Sequence, residues 1–369
     1  MFPIIAHIDD ILYAIEADPQ FRVAKQSNDT SIICYMLQDE ETFVGQNANF
    51  KRECRGITFG GDGKILSRTL HKFFNVGESE DTRPDNIPWE NITRVTSKED
   101  GSMITFVLLP DGEVVGKTKK TFESREAIAA TEFLKAHPEK YEWVKNRLQQ
   151  NITPIFEWTS SRFPIVLQYK EDQLTLLQIR GNLTGEYATA EQFEVMRESG
   201  TPFPIVENQL AKFTASGNLR EALLSAAQTE TGIEGWVIQD DVGNIWKIKT
   251  EWYMKLHRSV VFTRWRDIAR TVLDDQSDDL KSAFALAGRD IAPVVLVENS
   301  IFSTIKGKQN ACQKAVLGWE KSTQKQFALA HSSEPDFSLL MRTFNKQEIN
   351  WIEWYKKYHL SSWSLDVVI

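Results

Sequence analysis

Cysteine is scarce and scattered: Cys34, Cys54 and Cys312 are the whole complement. An odd, widely spaced set excludes a disulfide framework and fits a reducing compartment. The six histidines (His7, His71, His137, His257, His331 and His359) show no zinc-site spacing, so structural roles are expected of them. No apolar stretch approaches membrane-spanning length. The opening Met-Phe-Pro-Ile-Ile-Ala-His-Ile run has no basic flank and is interrupted by Asp9-Asp10, unlike a signal peptide. A cytoplasmic protein with no membrane partner is the expectation. Glycine-rich phosphate loops are missing too, both Gly-x-Gly-x-x-Gly and Gly-x-x-x-x-Gly-Lys-Ser/Thr, so any phosphate must be held by side chains. A net charge of −8 argues against a protein that coats nucleic acid by bulk charge. Residues 301–369 run against the trend with nine Lys/Arg and six Asp/Glu, which leaves room for a local basic groove.

The 369 residues suffice for two domains, each with its own core. Up to about residue 255, short β-type runs alternate with a few helices. Strands are predicted at Gly56–Phe59, Ile92–Thr96, Met103–Leu109, Glu113–Thr118, Pro154–Trp158, Leu174–Ile179, Gly235–Gln239 and Asn244–Lys249. Helices are predicted near Ser124–Ala136, Ala190–Glu198 and Leu219–Thr229. Without regular βαβ alternation the reading is α+β with antiparallel sheets. Beyond residue 255 the period turns helical, with Val261, Trp265, Ile268 and Val272 in one stripe and Trp351, Tyr355 and Tyr358 in another. The expected domains are therefore 1–254, built on sheets, and 255–369, all helical.

The chemistry-bearing residues begin with Lys98-Glu99-Asp100-Gly101-Ser102, between the β-branched run Ile92–Thr96 and the apolar run Met103–Leu109. Strand, turn, strand is predicted, with Gly101 permitting a sharp turn that seats Lys98 at the floor of a cleft. An ordinary polar hairpin would read the same way. Trp246-Lys247-Ile248-Lys249 puts two lysines on one face of a strand, about 7 Å apart. Either a solvated amphipathic strand or a clamp for a nucleotide α-phosphate fits that pattern. Glu157 and Glu234 lie among apolar neighbours, where a carboxylate is costly to bury without a partner. A salt bridge explains each. So does ribose binding by one and metal coordination by the other. Arg55, beside Gly56, is suited to bidentate phosphate contact.

In chain order these residues resemble the motifs of the covalent nucleotidyltransferase superfamily, and more narrowly the phage RNA ligase 1 family. The resemblance runs through Glu53-Cys54-Arg55-Gly56, Lys72-Phe73-Phe74-Asn75, Thr96 to Ser102, Phe156-Glu157, Thr184-Gly185-Glu186-Tyr187, Glu234-Gly235, Lys247-Ile248-Lys249 with Glu251-Trp252-Tyr253, and Ser277 to Lys281. It implies an α+β adenylation domain followed by an all-α C-terminal domain. It also implies an ATP-dependent RNA ligase of the tRNA-repair type that works through lysyl-AMP and adenylylated RNA. Lys98 would be the nucleophile. Tyr35, Arg55, Lys72, Lys119, Glu157, Lys247 and Lys249 would contact the nucleotide, Lys119 on the pyrophosphate side. Glu234 and Asp278 would serve the metal, while Asp100, Gly101 and Tyr253 would complete the motifs. The implied cofactors are ATP and Mg²⁺, with Mn²⁺ able to replace it. The implied partners are RNA, including tRNA with a broken anticodon loop, and a polynucleotide kinase-phosphatase. The protein itself is expected to be a monomer, in the host cytoplasm if phage-encoded.

Trp236 stands where the family commonly has a smaller aromatic, and little resemblance extends past residue 285. Trp319, Trp351, Trp354 and Trp363 could stack on loop bases or simply pack a core. A capping-type guanylyltransferase or a DNA ligase usually carries a β-barrel after the lysine pair, whereas this chain reads helical there. An inactive RNA-binding relic should have lost at least one of Lys98, Glu157, Glu234, Lys247 or Lys249, and all five are present.

Overall fold

The computed structural model describes residues 2–16, 18–36, 41–163, 167, 169–215, 217–255, 265–286, 291–319 and 322–360. His257, Val261 and Trp363 lie outside the described residues. The chain forms two compact units: the first holds most of residues 2–255, and the second holds residues 265–280 and 291–360.

The first unit carries three four-stranded sheets. One is built from β1 (Phe21–Lys25), β2 (Ser31–Tyr35), β3 (Arg55–Phe59) and β4 (Ile65–Ser67), all antiparallel and in that spatial order. The strands β5 (Phe74–Asn75) and β6 (Ile92–Lys98) belong to another sheet, with β11 (Gly235–Asp240) and β12 (Ile245–Lys249), in the order β5-β12-β11-β6. The last comprises β7 (Ser102–Leu108), β8 (Val114–Lys117), β9 (Ile152–Thr159) and β10 (Gln173–Gly181), in the order β10-β9-β7-β8. Pairing is antiparallel except for the two-residue contact of β12 with β5. The eight strands expected from apolar patterning are all present. The pattern did not single out β1, β2, β4 or β5, which have five residues or fewer.

Local chemistry explains the joints. Gly112 and Gly243 take φ of 86° and 90°, the positive values their turns require. Ser124 caps helix Arg125–Lys135 by accepting from Ala127 N–H at 3.1 Å. Pro138, with no N–H to satisfy, opens helix Pro138–Gln149. These two helices bury Ala130, Leu134, Val144 and Leu148 against Ile104, Phe106, Phe156 and Trp158 of the β7–β9 sheet. In the sheet of β11, Trp236 is buried against Phe213, and its indole N–H donates to Gln209 Oε1 at 3.3 Å. The larger aromatic is thus both packed and satisfied.

Every described element from residue 265 onward is a helix. The longest, Ala292–Val316, buries Val294, Val297, Ile301, Ile305 and Cys312, a helical stripe. In helix Trp351–Tyr358 the buried residues are Ile352, Trp354 and Tyr355. Tyr358 is exposed, so the stripe expected through Trp351, Tyr355 and Tyr358 is displaced onto Trp354. Trp354 is ringed by Trp351, Tyr355, Tyr358 and His359, and Trp319 packs edge-on to Phe327 and His331. Both tryptophans are engaged in packing.

Candidate active site

The acidic turn is a crossover rather than a hairpin. β6 ends at Lys98 in one sheet, and β7 begins at Ser102 in another. Lys98 therefore sits at the seam between two sheets, the position an isolated hairpin could not provide. Gly101 is needed for close approach rather than for a left-handed turn. Its φ is not positive, and a Cβ there would lie 2.3 Å from the carbonyl oxygen of Trp158.

Asp100 holds this turn in place. It is buried, accepting from Tyr253 Oη at 2.8 Å and from Leu167 N–H at 2.6 Å. Its own N–H donates to Tyr169 Oη at 3.0 Å, and that hydroxyl lies 3.4 Å from Glu99 Oε2. Sequence reasoning did not select Tyr169 or Glu99. A single tyrosine in the loop after β9 gave no local signal, because its partner is distant in sequence.

Gly235, in β11, pairs with Lys98 on one side and Lys249 on the other, so the preceding Glu234 lies between two lysines. Glu234 Oε1 is 2.8 Å from both Lys98 Nζ and Lys249 Nζ. The Lys98 side chain is 23% exposed, whereas those of Glu234 and Lys249 are 3% exposed. Two ammoniums share one carboxylate, and of these three groups only Lys98 is appreciably open to solvent. Gly235 adopts φ of 150°, and a Cβ would meet the Ile248 carbonyl oxygen at 1.9 Å, so only glycine fits there. Lys247 and Lys249 are both buried, which removes the solvated amphipathic strand as an explanation. Ile248 is core and Trp246 packs partly beside it, as the alternation predicts. The Lys249 ammonium also lies 5.1 Å from the centre of the Tyr253 ring.

A second set of cations gathers on Tyr35. Lys119 Nζ is 4.5 Å and Lys72 Nζ 5.6 Å from its ring centre, and Lys72 is 4.7 Å from that of Phe74. Desolvation pushes the Lys119 ammonium down to about 7, and neighbouring Arg55 and Lys72 add to the fall. The guanidinium of Arg55 lies 5.1 Å from the Phe73 ring centre, with Nη1 at 3.5 Å from Met103 Sδ. Gly56 (φ 101°) lets this strand approach Lys119, whose carbonyl oxygen would be 2.8 Å from a Cβ. Lys117 was not selected from sequence. It is fully buried, donates to the Gly56 carbonyl at 2.6 Å and is driven by desolvation to about 7.

Glu157, on β9 opposite Met103, is buried. Burial drives its carboxyl up to about 8, Lys98 and Arg55 pulling down and Glu234 and Glu99 pushing up. The first unit thus brings together Lys98, Asp100, Gly101, Glu157, Glu234, Lys249 and Tyr253, and joins Tyr35, Lys72 and Lys119 on one ring. Lys247 lies on the same strand as Lys249, next to Asn75 of β5. Asp278 belongs to the second unit, buried in the first turn of helix Ser277–Leu286. Among the described residues, no group of three or more His, Cys, Asp or Glu side chains is arranged to hold a metal ion. Of the Thr184–Tyr187 motif, Thr184, Glu186 and Tyr187 line an apolar groove of about 600 Å³ with Ile179, Val195 and Met196, to which no expected site residue contributes, while Tyr187 Oη accepts from His71 N–H at 3.0 Å, next to Lys72.

The family model described as RNA ligase matches residues 53–257. The chain is 29% identical over 261 residues to a provisionally named RNA ligase of Thermovibrio ammonificans, covering 69% of this chain and 65% of that protein's length. It is 26% identical over 314 residues to RNA ligase 1 of bacteriophage TS2126, covering 77% of this chain and 70% of that one. Among solved structures it is similar to an archaeal ATP-dependent RNA ligase with a TM-score of 0.45 at 14% identity, covering 80% of this chain and 79% of that chain. With a match over more than half of its length, bracketing every motif from Arg55 to Tyr253, the chain belongs to the RNA ligase family.

Proposed function

We propose that this protein is an ATP-dependent RNA ligase that joins a 3′-hydroxyl to a 5′-phosphate, with Lys98 as the nucleophile. The observation that carries the proposal is the partly open Lys98 ammonium beside Glu234, with buried Lys249 on the same carboxylate oxygen. Such a site favours an anion and holds the attacking nitrogen in place before substrate arrives. In the first step Lys98 Nζ, after losing a proton, bonds to the α-phosphorus of ATP, and the bond to the departing pyrophosphate breaks. Lys247 and Lys249 stabilise the phosphoryl charge, and Lys72, Lys119 and Arg55 supply cations for the rest of the polyphosphate and for the leaving group. Glu157, kept protonated by burial, can donate to the ribose. AMP then passes to the RNA 5′-phosphate, and the 3′-hydroxyl displaces it.

Glu234 is a hard oxygen donor suited to Mg²⁺ or Mn²⁺, and Mg²⁺ commonly takes one or two protein carboxylates with substrate phosphates and water completing the shell. A bound divalent ion would neutralise polyphosphate charge. We assign residues 1–254 to adenylyl transfer and 255–369 to RNA choice. Repair of a broken tRNA anticodon loop, after a kinase-phosphatase has prepared its ends, is the cellular role the family resemblance suggests.

The test is transfer of label from α-labelled ATP, with GTP in parallel, to wild type and Lys98→Ala, resolved after denaturation. Label from ATP on wild type alone is expected. Label from GTP instead would replace the ligase reading by a capping one, and label on Lys98→Ala would move the nucleophile elsewhere.

A further inference from the structure

The loops that leave β8 and β9 emerge at the end of the sheet where the turn from Lys98 to Ser102 enters it. β7 starts at Ser102, paired with Trp158 near the end of β9, and β8 ends at Lys117, paired with Thr105 of β7. Arg125, which opens the helix following β8, and Arg162, in the loop after β9, both meet the ring of Phe163, the residue after Arg162. The Arg125 guanidinium is 4.9 Å, and that of Arg162 5.3 Å, from the centre of Phe163. Phe163 is anchored on its inner side against the core of that sheet. The arginine side chains are open, 71% exposed for Arg125 and 52% for Arg162.

Carboxylates fix the two guanidiniums without using them up. Arg125 Nε donates to Glu126 Oε1 at 2.6 Å, and Arg162 Nη2 donates to Asp172, itself held by Ser160 Oγ at 2.5 Å. A guanidinium has five N–H donors and two flat faces, so most of the donors and an outer face remain available on each. Two exposed, edge-fixed arginines converging on one anchored ring form a surface that takes bases by stacking and phosphates by hydrogen bonding. Neither the nucleotide chemistry of Lys98 nor the packing of the core calls for it.

We infer that Arg125, Phe163 and Arg162 form the docking platform for single-stranded RNA next to the break, carrying the strand toward the Lys98 seam. The inference rests on the RNA-joining reading and adds a site to it. Because lysyl-AMP formation needs no RNA, the two are separable in one experiment. The full chain, its Arg125→Ala/Arg162→Ala variant and its Arg125→Lys/Arg162→Lys variant are compared in two assays. One is self-labelling by ATP without RNA. The other is the Kd for a fluorescent 5′-phosphorylated single-stranded RNA at two salt concentrations.

The alanine pair is expected to label within about twofold of wild type, which also reports an intact fold, while its RNA Kd rises about tenfold. The lysine pair should keep the salt dependence but regain only part of the affinity, since an ammonium does not stack. An unchanged RNA Kd in the alanine pair would overturn the platform. So would loss of ATP labelling in that pair, which would place the arginines in the first step. Full recovery by lysine would overturn the stacking role. Failure of wild type to label from ATP, on protein first stripped of AMP with pyrophosphate, would sink the ligase reading itself, whatever the arginines do to RNA affinity.

Discussion

The first unit buries two groups of charges, and they are solved in opposite ways. Glu53, between Arg68 and Arg180, is closed: both arginines pair with it, and their remaining N–H groups donate to the carbonyls of Pro3, Thr69, Asn182, Leu183 and Gly185. Burial alone would raise the Glu53 carboxyl, but Arg180 and Arg68 overcome it and bring it down to about 2. Around Lys98 partners are shared and protons shifted instead. One carboxylate serves two ammoniums, Glu157 is driven up to about 8, and Lys119 down to about 7. Burial with full compensation makes a structural joint. Burial with shared partners and shifted protons leaves titratable groups poised to respond to a ligand.

The sharpest way to break the comparison is to cut each group at its centre. Lys98→Ala should lower ATP labelling by at least about a thousandfold, because the bond-forming atom is gone, and leave the urea midpoint nearly unmoved. Glu53→Ala should do the reverse, costing about 3–5 kcal/mol by leaving two arginines buried without their anion. Denaturant titration reads that loss. If the two variants lost stability equally, the division into joint and site would fail.

pH separates the groups next. Below about pH 4.5 the unfolded chain binds the proton that folded Glu53 still refuses, so stability is lost as pH falls toward 2. Glu157 works in the other direction. Between about 4.5 and 8 the folded carboxyl keeps a proton the unfolded chain has released, so stability falls as pH rises through that window. Subtracting the stability curve of Glu157→Gln from that of wild type should expose this slope, at most about 1.4 kcal/mol per pH unit. A flat difference would mean that the carboxyl is already ionised.

Lys119 gives a binding counterpart. Desolvation holds its ammonium below the usual lysine range in the free protein, and a polyphosphate would favour the charged form, so ATP binding near pH 8 should take up part of a proton. Calorimetry in two buffers of different ionisation enthalpy measures that uptake, and Lys119→Met should abolish it. Tyr169→Phe should have the smallest effect, about a tenfold fall in the labelling rate from a loosened Glu99–Asp100 turn. The readout is kcat falling with the KM for ATP little changed, and a fall in stability alone would make Tyr169 purely structural.

Much of this site could be read from the chain. Lys98 stands in an acidic glycine turn, Glu157 and Glu234 among apolar neighbours, and Lys247 and Lys249 alternate with apolar residues, each open to a structural reading until the family resemblance put them in one order. The helices after residue 265 and the strands β6 to β12 follow from period alone. The misreadings share one cause. Gly101 looked like a turn glycine and proved to be a close-approach glycine, because the obstructing carbonyl belongs to Trp158. Tyr169, Glu99 and Lys117 stayed unselected because their partners lie in other elements.

By itself, the sequence determined eight of the twelve described strands, the helical character after residue 265 and the order of the motifs, since these depend on period, propensity and residue identity within a few positions. Only the tertiary structure decided that the Lys98 turn bridges two sheets, that both lysines of β12 are buried, that Tyr253 grips Asp100 and that Arg125 meets Phe163 beside Arg162. Period tells which residues share a face of a strand. Which strand that face meets is set by pairings between segments far apart in the chain, and those appear only when the sheets assemble.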